Sequence, residues 1–215
     1  MKRALLLMFI LIGFSQARAY RDEIPDYGDL FVPSNQPLKA SPIGESRVKD
    51  HLGDTLKVSR MSSVGSRTLF SWLQLSNLPF MYPKDCCHSR AYLMSEWMAA
   101  RRVLNAKIFV LGDLNYNSPK YGPVHWEFHV APAVLDEHAQ WVILDPSTQS
   151  QPVHLKQWLE KFVGAPGTYK VYVASRFVYS DQSLMNPPPA NWSDYYENIA
   201  QGELMGCEAA QNRRP

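Results

Sequence analysis

Cys86 and Cys87 stand side by side behind Asp85, and Cys207 is the only other cysteine in the 215-residue chain. An odd number of thiols leaves at least one outside any intramolecular disulfide. The arithmetic permits a bridge from Cys207 to one of the pair and leaves the other free. The run 86–106 has no Gly or Pro, and Leu93, Met94, Trp97, Ala100 and Leu104 recur at three- and four-residue steps. That spacing predicts an amphipathic helix with Asp85 as its N-cap. Cys87 then falls in the first turn, where unpaired N–H groups and the positive end of the helix dipole favour a thiolate. A thiolate is a nucleophile for carbonyl carbon, and an amide carbonyl further requires a base that returns a proton to the departing nitrogen.

Six histidines are available for that role. His51 lies early in the chain, His88 beside the cysteines, His125 and His129 in a predicted strand, His138 in its turn and His154 at a helix start. His129 sits mid-strand between Phe128 and Val130, where the backbone holds a ring rigidly. An isolated strand histidine is more often a satisfied core residue, so a relation to a carboxylate has to decide. A hairpin turn centred on Glu137 would pair His129 with Asp145 on one side of the sheet, with Cβ atoms about 5 Å apart. A carboxylate there fixes the tautomer of the base. A bulge at Pro132 would shift the register, and Asp145 has an alternative role in capping the turn at Pro146-Ser147. The oxyanion would meet the Cys87 backbone N–H and one further donor that the sequence does not identify.

These positions need a frame. A helix in 69–75, the helix 86–106, strands 107–111, 125–135 and 140–144, a helix 153–162 and a last strand 169–179 make an α+β pattern with a mainly antiparallel sheet. Residues 112–122 read as a polar loop, and 192–208 as a terminal helix after Pro187-Pro188-Pro189. From 20 to 66 the prolines Pro25, Pro33, Pro37 and Pro42 interrupt any periodicity, which reads as an extended leader or a pro-segment. Lys2 and Arg3, an apolar run of about ten residues and Ala17-Arg18-Ala19 form a signal peptide, too short for the roughly twenty residues of a membrane span. Residues 1–19 are thus expected to be removed on export, leaving no membrane anchor, and 67–210 to be the catalytic domain. Lys plus Arg number 22 against 20 Asp plus Glu, which provides no field for nucleic acid or anionic lipid. Without Cys-x-x-Cys or a Gly-rich phosphate loop, neither a metal nor another cofactor is expected.

The segments 80–91 (FMYPKDCCHSRA), 126–131 (WEFHVA) and 145–147 (DPS) together resemble the protein-glutaminases, secreted bacterial enzymes that deamidate glutamine side chains in proteins. The resemblance spans 70–162. It implies a papain- and transglutaminase-like core with the catalytic helix ahead of the sheet. It carries the family's cysteine onto Cys87, its histidine onto His129 and its aspartate onto Asp145, with Arg90 and Ala91 matching the residues after the cysteine. Trp126 matches a tryptophan that would wall the substrate slot, with core packing as the plain alternative. Cys86 replaces a small residue, so a Cys86–Cys207 disulfide is the hypothesis that follows. The expected partners are proteins or peptides bearing glutamine, met by a monomer in the periplasm or outside the cell. A transglutaminase, a papain-like peptidase, or an exported binding protein with a degenerate triad are the competing readings.

Overall fold

A computed structural model describes residue 27 and residues 30–162 and 168–213. The signal-peptide reading of 1–19 lies outside the described residues. Among the described residues no helix is long and apolar enough to cross a membrane.

Strand β1 (Gly44–Lys49) pairs antiparallel with β2 (Thr55–Arg60) across a turn that contains Gly53 at φ +89°. This hairpin lies in the stretch expected to be an extended leader. The outward positions Glu45, Arg47 and Lys49 are charged, but the inward ones are Gly44, Ser46 and Val48. The alternation is therefore one of exposure more than of hydropathy, and an apolar pattern does not reveal it. Helix α1 (Ser63–Gln74) starts earlier than expected, because the Ser62 hydroxyl accepts from the Gly65 N–H and caps it.

Helix α2 (Cys87–Ala100) is shorter at both ends than the predicted helix. Asp85 is not its N-cap. Cys86 holds that place in the left-handed region at φ 62°, and the Asp85 carboxylate accepts from the Cys86 N–H at 2.6 Å. At the other end Arg102 turns left-handed, and the Val103 N–H bonds the Met98 carbonyl, closing the helix before residue 106.

Strands β3 (Ala106–Ser118) and β4 (Gly122–Leu135) form one long antiparallel hairpin. The expected loop 112–122 is mostly strand. Its Asn and Asp residues mark a sheet end near solvent, and the ladder passes them by a bulge between Leu111 and Leu114. Gly112 in that bulge has φ +150°, and a Cβ there would meet the Thr168 carbonyl oxygen at 2.4 Å. No larger residue fits without moving that neighbouring chain.

The short strands β5 (Trp141–Ile143) and β6 (Val153–His154) lead into helix α3 (Leu155–Leu159), where a single longer helix was expected. Strand β7 (Tyr169–Ser175) pairs with β3 and ends before the predicted residue 179. Helix α4 (Ser193–Asn212) follows the proline run. The sheet order is β1-β2-β4-β3-β7, with β5 on β4 and β6 on β5. Only β2 and β4 pair parallel, through Arg60 and Leu135, so the sheet is mainly antiparallel as expected.

Period-two alternation sends Ile108, Val110, Ala131, Ala133 and Ile143 to one core with Trp158 and Phe162. Phe109, Val130 and Ala174 go to another with Cys87 and Ala91. Helices α1, α2 and α4 close over Val134, Val142 and Leu144 in the largest cluster, which also holds Cys86 and Cys207.

Cys86 and Cys207 are joined by a disulfide, and Cys87 is free. The bridge spans 121 positions of sequence and ties α4 to the start of α2. Closing a loop of that length removes much conformational freedom from the unfolded chain. Cys207→Ala is expected to cost roughly 2–5 kcal/mol, read as a lowered urea midpoint, while the wild-type protein shows one reactive thiol when denatured without reductant.

Candidate active site

The start of α2, the middle of β4 and the turn after β5 converge on one buried point. Cys87 is the first helical residue and is 8% exposed, whereas His129 is fully buried in β4 beside Val110 of β3. The His129 ring acts on the thiol and favours its ionised form. His129 Nε2 meets Asp145 Oδ2 at 2.9 Å, and its Nδ1 is buried with no hydrogen-bond partner. That leaves Nδ1 as the ring nitrogen free to serve the sulfur.

Asp145 reaches His129 by a different route from the one expected. The β4–β5 ladder pairs Ala133 with Ile143 and Leu135 with Trp141, so its turn is centred on His138 rather than Glu137. Continued regularly, this register would set His129 against Ser147. The ladder instead stops at Ile143, and a tight turn, with the Thr148 and Gln149 N–H groups on the Asp145 carbonyl, swings the carboxylate to the histidine. Three side chains converge on Asp145 Oδ2: His129, Thr148 Oγ1 at 2.5 Å and Trp158 Nε1 at 3.0 Å. The Ser147 N–H adds a bond to Oδ1. Sequence reading missed Thr148 and Trp158. Thr148 was legible as a hydroxyl three residues after a turn aspartate; Trp158, in a separate helix, carries no local sign of its partner.

Trp126 is buried and stacks on the His129 ring at 4.5 Å between centroids. Its Nε1 donates to the Pro83 carbonyl, tying the chain ahead of the cysteines to β4. It therefore touches the histidine directly. Arg90, one turn after Cys87, is buried and donates to the Tyr82 carbonyl at 3.0 Å, fixing the same segment from the helix side.

A second imidazole acts on the same sulfur. His88, the next residue of the helix, favours the ionised Cys87, and its Nε2 meets Glu203 Oε2 of α4 at 2.8 Å. Ser89 Oγ and the Tyr179 hydroxyl bond the same Glu203 oxygen, the latter at 2.6 Å. His88, Phe128, Tyr179, Tyr196 and Glu203 line part of a cleft of about 560 Å³. Neither Glu203 nor Tyr179 was singled out from the sequence, since more than ninety residues separate each from the cysteines.

Burial pushes the Cys87 thiol up, but hydrogen bonds and charge from His129 and His88 outweigh it and bring the thiol down to about 6. For His129 burial favours the neutral ring, and the Asp145 carboxylate overcomes it, with help from Cys87, to raise the imidazole to about 9. Burial works against the Asp145 carboxylate too, yet His129, Thr148 and Trp158 hold it well below the usual range. The site thus holds a thiolate–imidazolium pair. Iodoacetamide alkylation of Cys87 should rise through about pH 6, well below the ordinary thiol value near 8.5. Alkylation that only begins above pH 8 would contradict the pairing.

A helix-borne thiol, a strand-borne imidazole and a carboxylate behind it, in that chain order on an antiparallel sheet, define a papain- and transglutaminase-like fold. Residues 58–162 match the family model described as Glutaminase, Gln_deamidase_2. No curated protein matches it. Among solved structures it is similar to a protein-glutaminase at 25% identity, covering 55% of this chain and 74% of that one, with a TM-score of 0.48. It is similar to a pro-protein-glutaminase at 22% identity, covering 75% and 57%, with a TM-score of 0.49. The protein-glutaminase of Chryseobacterium proteolyticum, solved by NMR, is 24% identical over 60% and 84%, with a TM-score of 0.46. The chain thus spans little more than half the length of the pro-form.

Proposed function

We propose that the protein hydrolyses glutamine side-chain amides in proteins or peptides to glutamate and ammonia, with Cys87 as nucleophile, His129 as acid and base, and Asp145 orienting His129. The observation that carries this reading is the buried His129–Asp145 pair beside a free thiol at a helix start, in a chain whose residues 58–162 match the Glutaminase family model.

In the acylation step the Cys87 thiolate forms a bond to the amide carbon, and the carbonyl oxygen takes the negative charge near the Cys87 N–H. The carbon–nitrogen bond then breaks as the His129 imidazolium gives its proton to nitrogen, and ammonia departs from a γ-glutamyl thioester. Water next attacks the thioester carbon, passing a proton to neutral His129, and the carbon–sulfur bond breaks to release glutamate and the thiolate. Asp145 keeps Nε2 of His129 as the paired nitrogen, so Nδ1 does the transfer in both steps. Trp126 covers the ring face and keeps it in that plane, which is a positioning role as well as a wall for the slot.

Residues 1–19 serve as the export signal in this reading, and 67–210 as the catalytic domain working as an exported monomer. Described residues of the stretch before 67 pack on the domain, since His51 contacts the Val173 and Leu184 carbonyls and the Trp72 indole bonds the Gln36 carbonyl. Incubation with a glutamine-rich protein should release ammonia and give intact substrate that has gained negative charge at glutamine. Incorporation of a labelled amine would mark a transglutaminase instead, and shortened chains a peptidase. No reaction with any glutamine-bearing protein would overturn the proposal.

A further inference from the structure

We propose that His88, held by Glu203, is a second imidazole acting on the Cys87 sulfur, and that it stabilises the thiolate as leaving group while His129 serves as base for water. This deepens the reading above and rests on Cys87 being the nucleophile. The two rings come from different parts of the fold, His88 from the residue next to Cys87 in the helix and His129 from β4. Each has its Nε2 fixed by a carboxylate, at 2.8 Å for Glu203 and 2.9 Å for Asp145. Each has a buried Nδ1 with no hydrogen-bond partner. The same construction occurs twice around one thiol.

A single histidine faces conflicting duties in hydrolysis of the thioester. To take a proton from water it has to be neutral, yet the sulfur leaves most readily beside a cation. With two rings the duties separate. Water oxygen bonds to the thioester carbon, its proton goes to His129 Nδ1, and the carbon–sulfur electron pair returns to sulfur, which accepts a hydrogen bond from protonated His88. The product acid and the resting thiolate are then both in place.

The electrostatics agree. Burial lowers His88, but its bonds to Cys87 and Glu203 prevail and raise it to about 10, so it stays charged where His129 can titrate. Facing His88 are Cys87 of its own helix, Glu203 of α4, and Tyr179, whose hydroxyl burial and Glu203 keep neutral. Phe128 of β4 contributes only an apolar ring. Arg90 and the His129–Asp145 pair also act on the sulfur or sense its charge.

The test is the pH dependence of Cys87 alkylation by iodoacetamide, followed by peptide mass, in the disulfide-bonded protein. His88→Ala should move the midpoint upward by about one unit or more, roughly a tenfold slower reaction near pH 6. Glu203→Gln, which keeps the size of the side chain, should move it the same way by less. Removing His88 from a His129→Ala protein should raise the midpoint again. Superimposable profiles for wild type and His88→Ala would overturn the proposal. If the His88 variant does not fold by circular dichroism, an unchanged profile in Glu203→Gln overturns it equally. Because alkylation needs no glutamine, a protein that shifts as expected but releases no ammonia refutes the proposed substrate and leaves the second imidazole standing.

Discussion

Cys87→Ala is expected to abolish ammonia release from glutamine-bearing proteins, by on the order of 10⁴-fold or more, while leaving the fold intact. The size follows from what is lost. Without the sulfur no thioester forms, and the remaining groups can at most position water and polarise a carbonyl. The substitution is small and sits at a helix start rather than deep in the largest core, where Cys86 lies. Its structural cost should therefore be slight, with an unchanged circular dichroism spectrum and a near wild-type melting curve. Loss of the two imidazolium charges' partner will, if anything, lower the pKa of His129, since the thiolate helps to raise it. Residual activity within tenfold of wild type would remove Cys87 from the chemistry.

Asp145 should show a large effect on two measurements at once. Asp145→Asn keeps the shape but removes the charge that faces His129, and the tautomer that presents Nδ1 as acceptor is no longer enforced. A fall in kcat of about 10⁴-fold is expected. The upper limb of the pH profile, set by His129 at about 9, should move down, because the first partner that raises this imidazole is Asp145. Asp145→Ala goes further. His129 is fully buried, and Thr148 Oγ and Trp158 Nε1 lose their shared acceptor together with it. Breaking such a buried pair costs on the order of 3–5 kcal/mol, to be read from urea unfolding. An Asp145→Ala protein as stable as wild type would show that the carboxylate is not the hub of this corner.

The sign of the acid limb follows from the same groups. Below about pH 6 Cys87 takes a proton, and the thiolate–imidazolium pair is lost. Above about 9 His129 loses its proton and can no longer give one to the departing nitrogen. The window for kcat/KM between these values is therefore a property of one sulfur and one buried ring, and Asp145→Asn moves its upper edge down.

Much of this site was written in local patterns. A Gly- and Pro-free run after Cys86 marks the helix, and alternation in β4 marks the strand that carries His129. Asp145 was reached by an argument that the register does not support, since the true hairpin is offset and ends at Ile143. The contact survives because the turn after Ile143, fixed by backbone bonds to the Asp145 carbonyl, redirects the chain. Turn geometry of that kind depends on where a ladder stops, which three-dimensional packing decides. The β1–β2 hairpin stayed hidden because β1 turns Gly44 and Ser46 inward beside Val48, so the alternation of Leu56 and Val58 in β2 has no matching apolar pattern across the turn. Thr148 was within reach of local reasoning, but Glu203, Tyr179 and Trp158 join the site only through folding of distant segments.

The left-handed residue at position 86 has a consequence for how the protein matures. Two adjacent thiols compete for one partner at 207, and a chain oxidised at the wrong one would be a sound fold with its nucleophile masked. Cys86 at φ 62° faces α4 and the cluster that contains Cys207, whereas Cys87, in regular helix, joins the cluster of Phe109 and Val130. That one backbone angle sorts neighbouring side chains onto different sides of the helix start. Holding a non-glycine residue there costs about 1–3 kcal/mol, which the surrounding packing offsets, and the conformation it fixes offers Cys86 rather than Cys87 to Cys207.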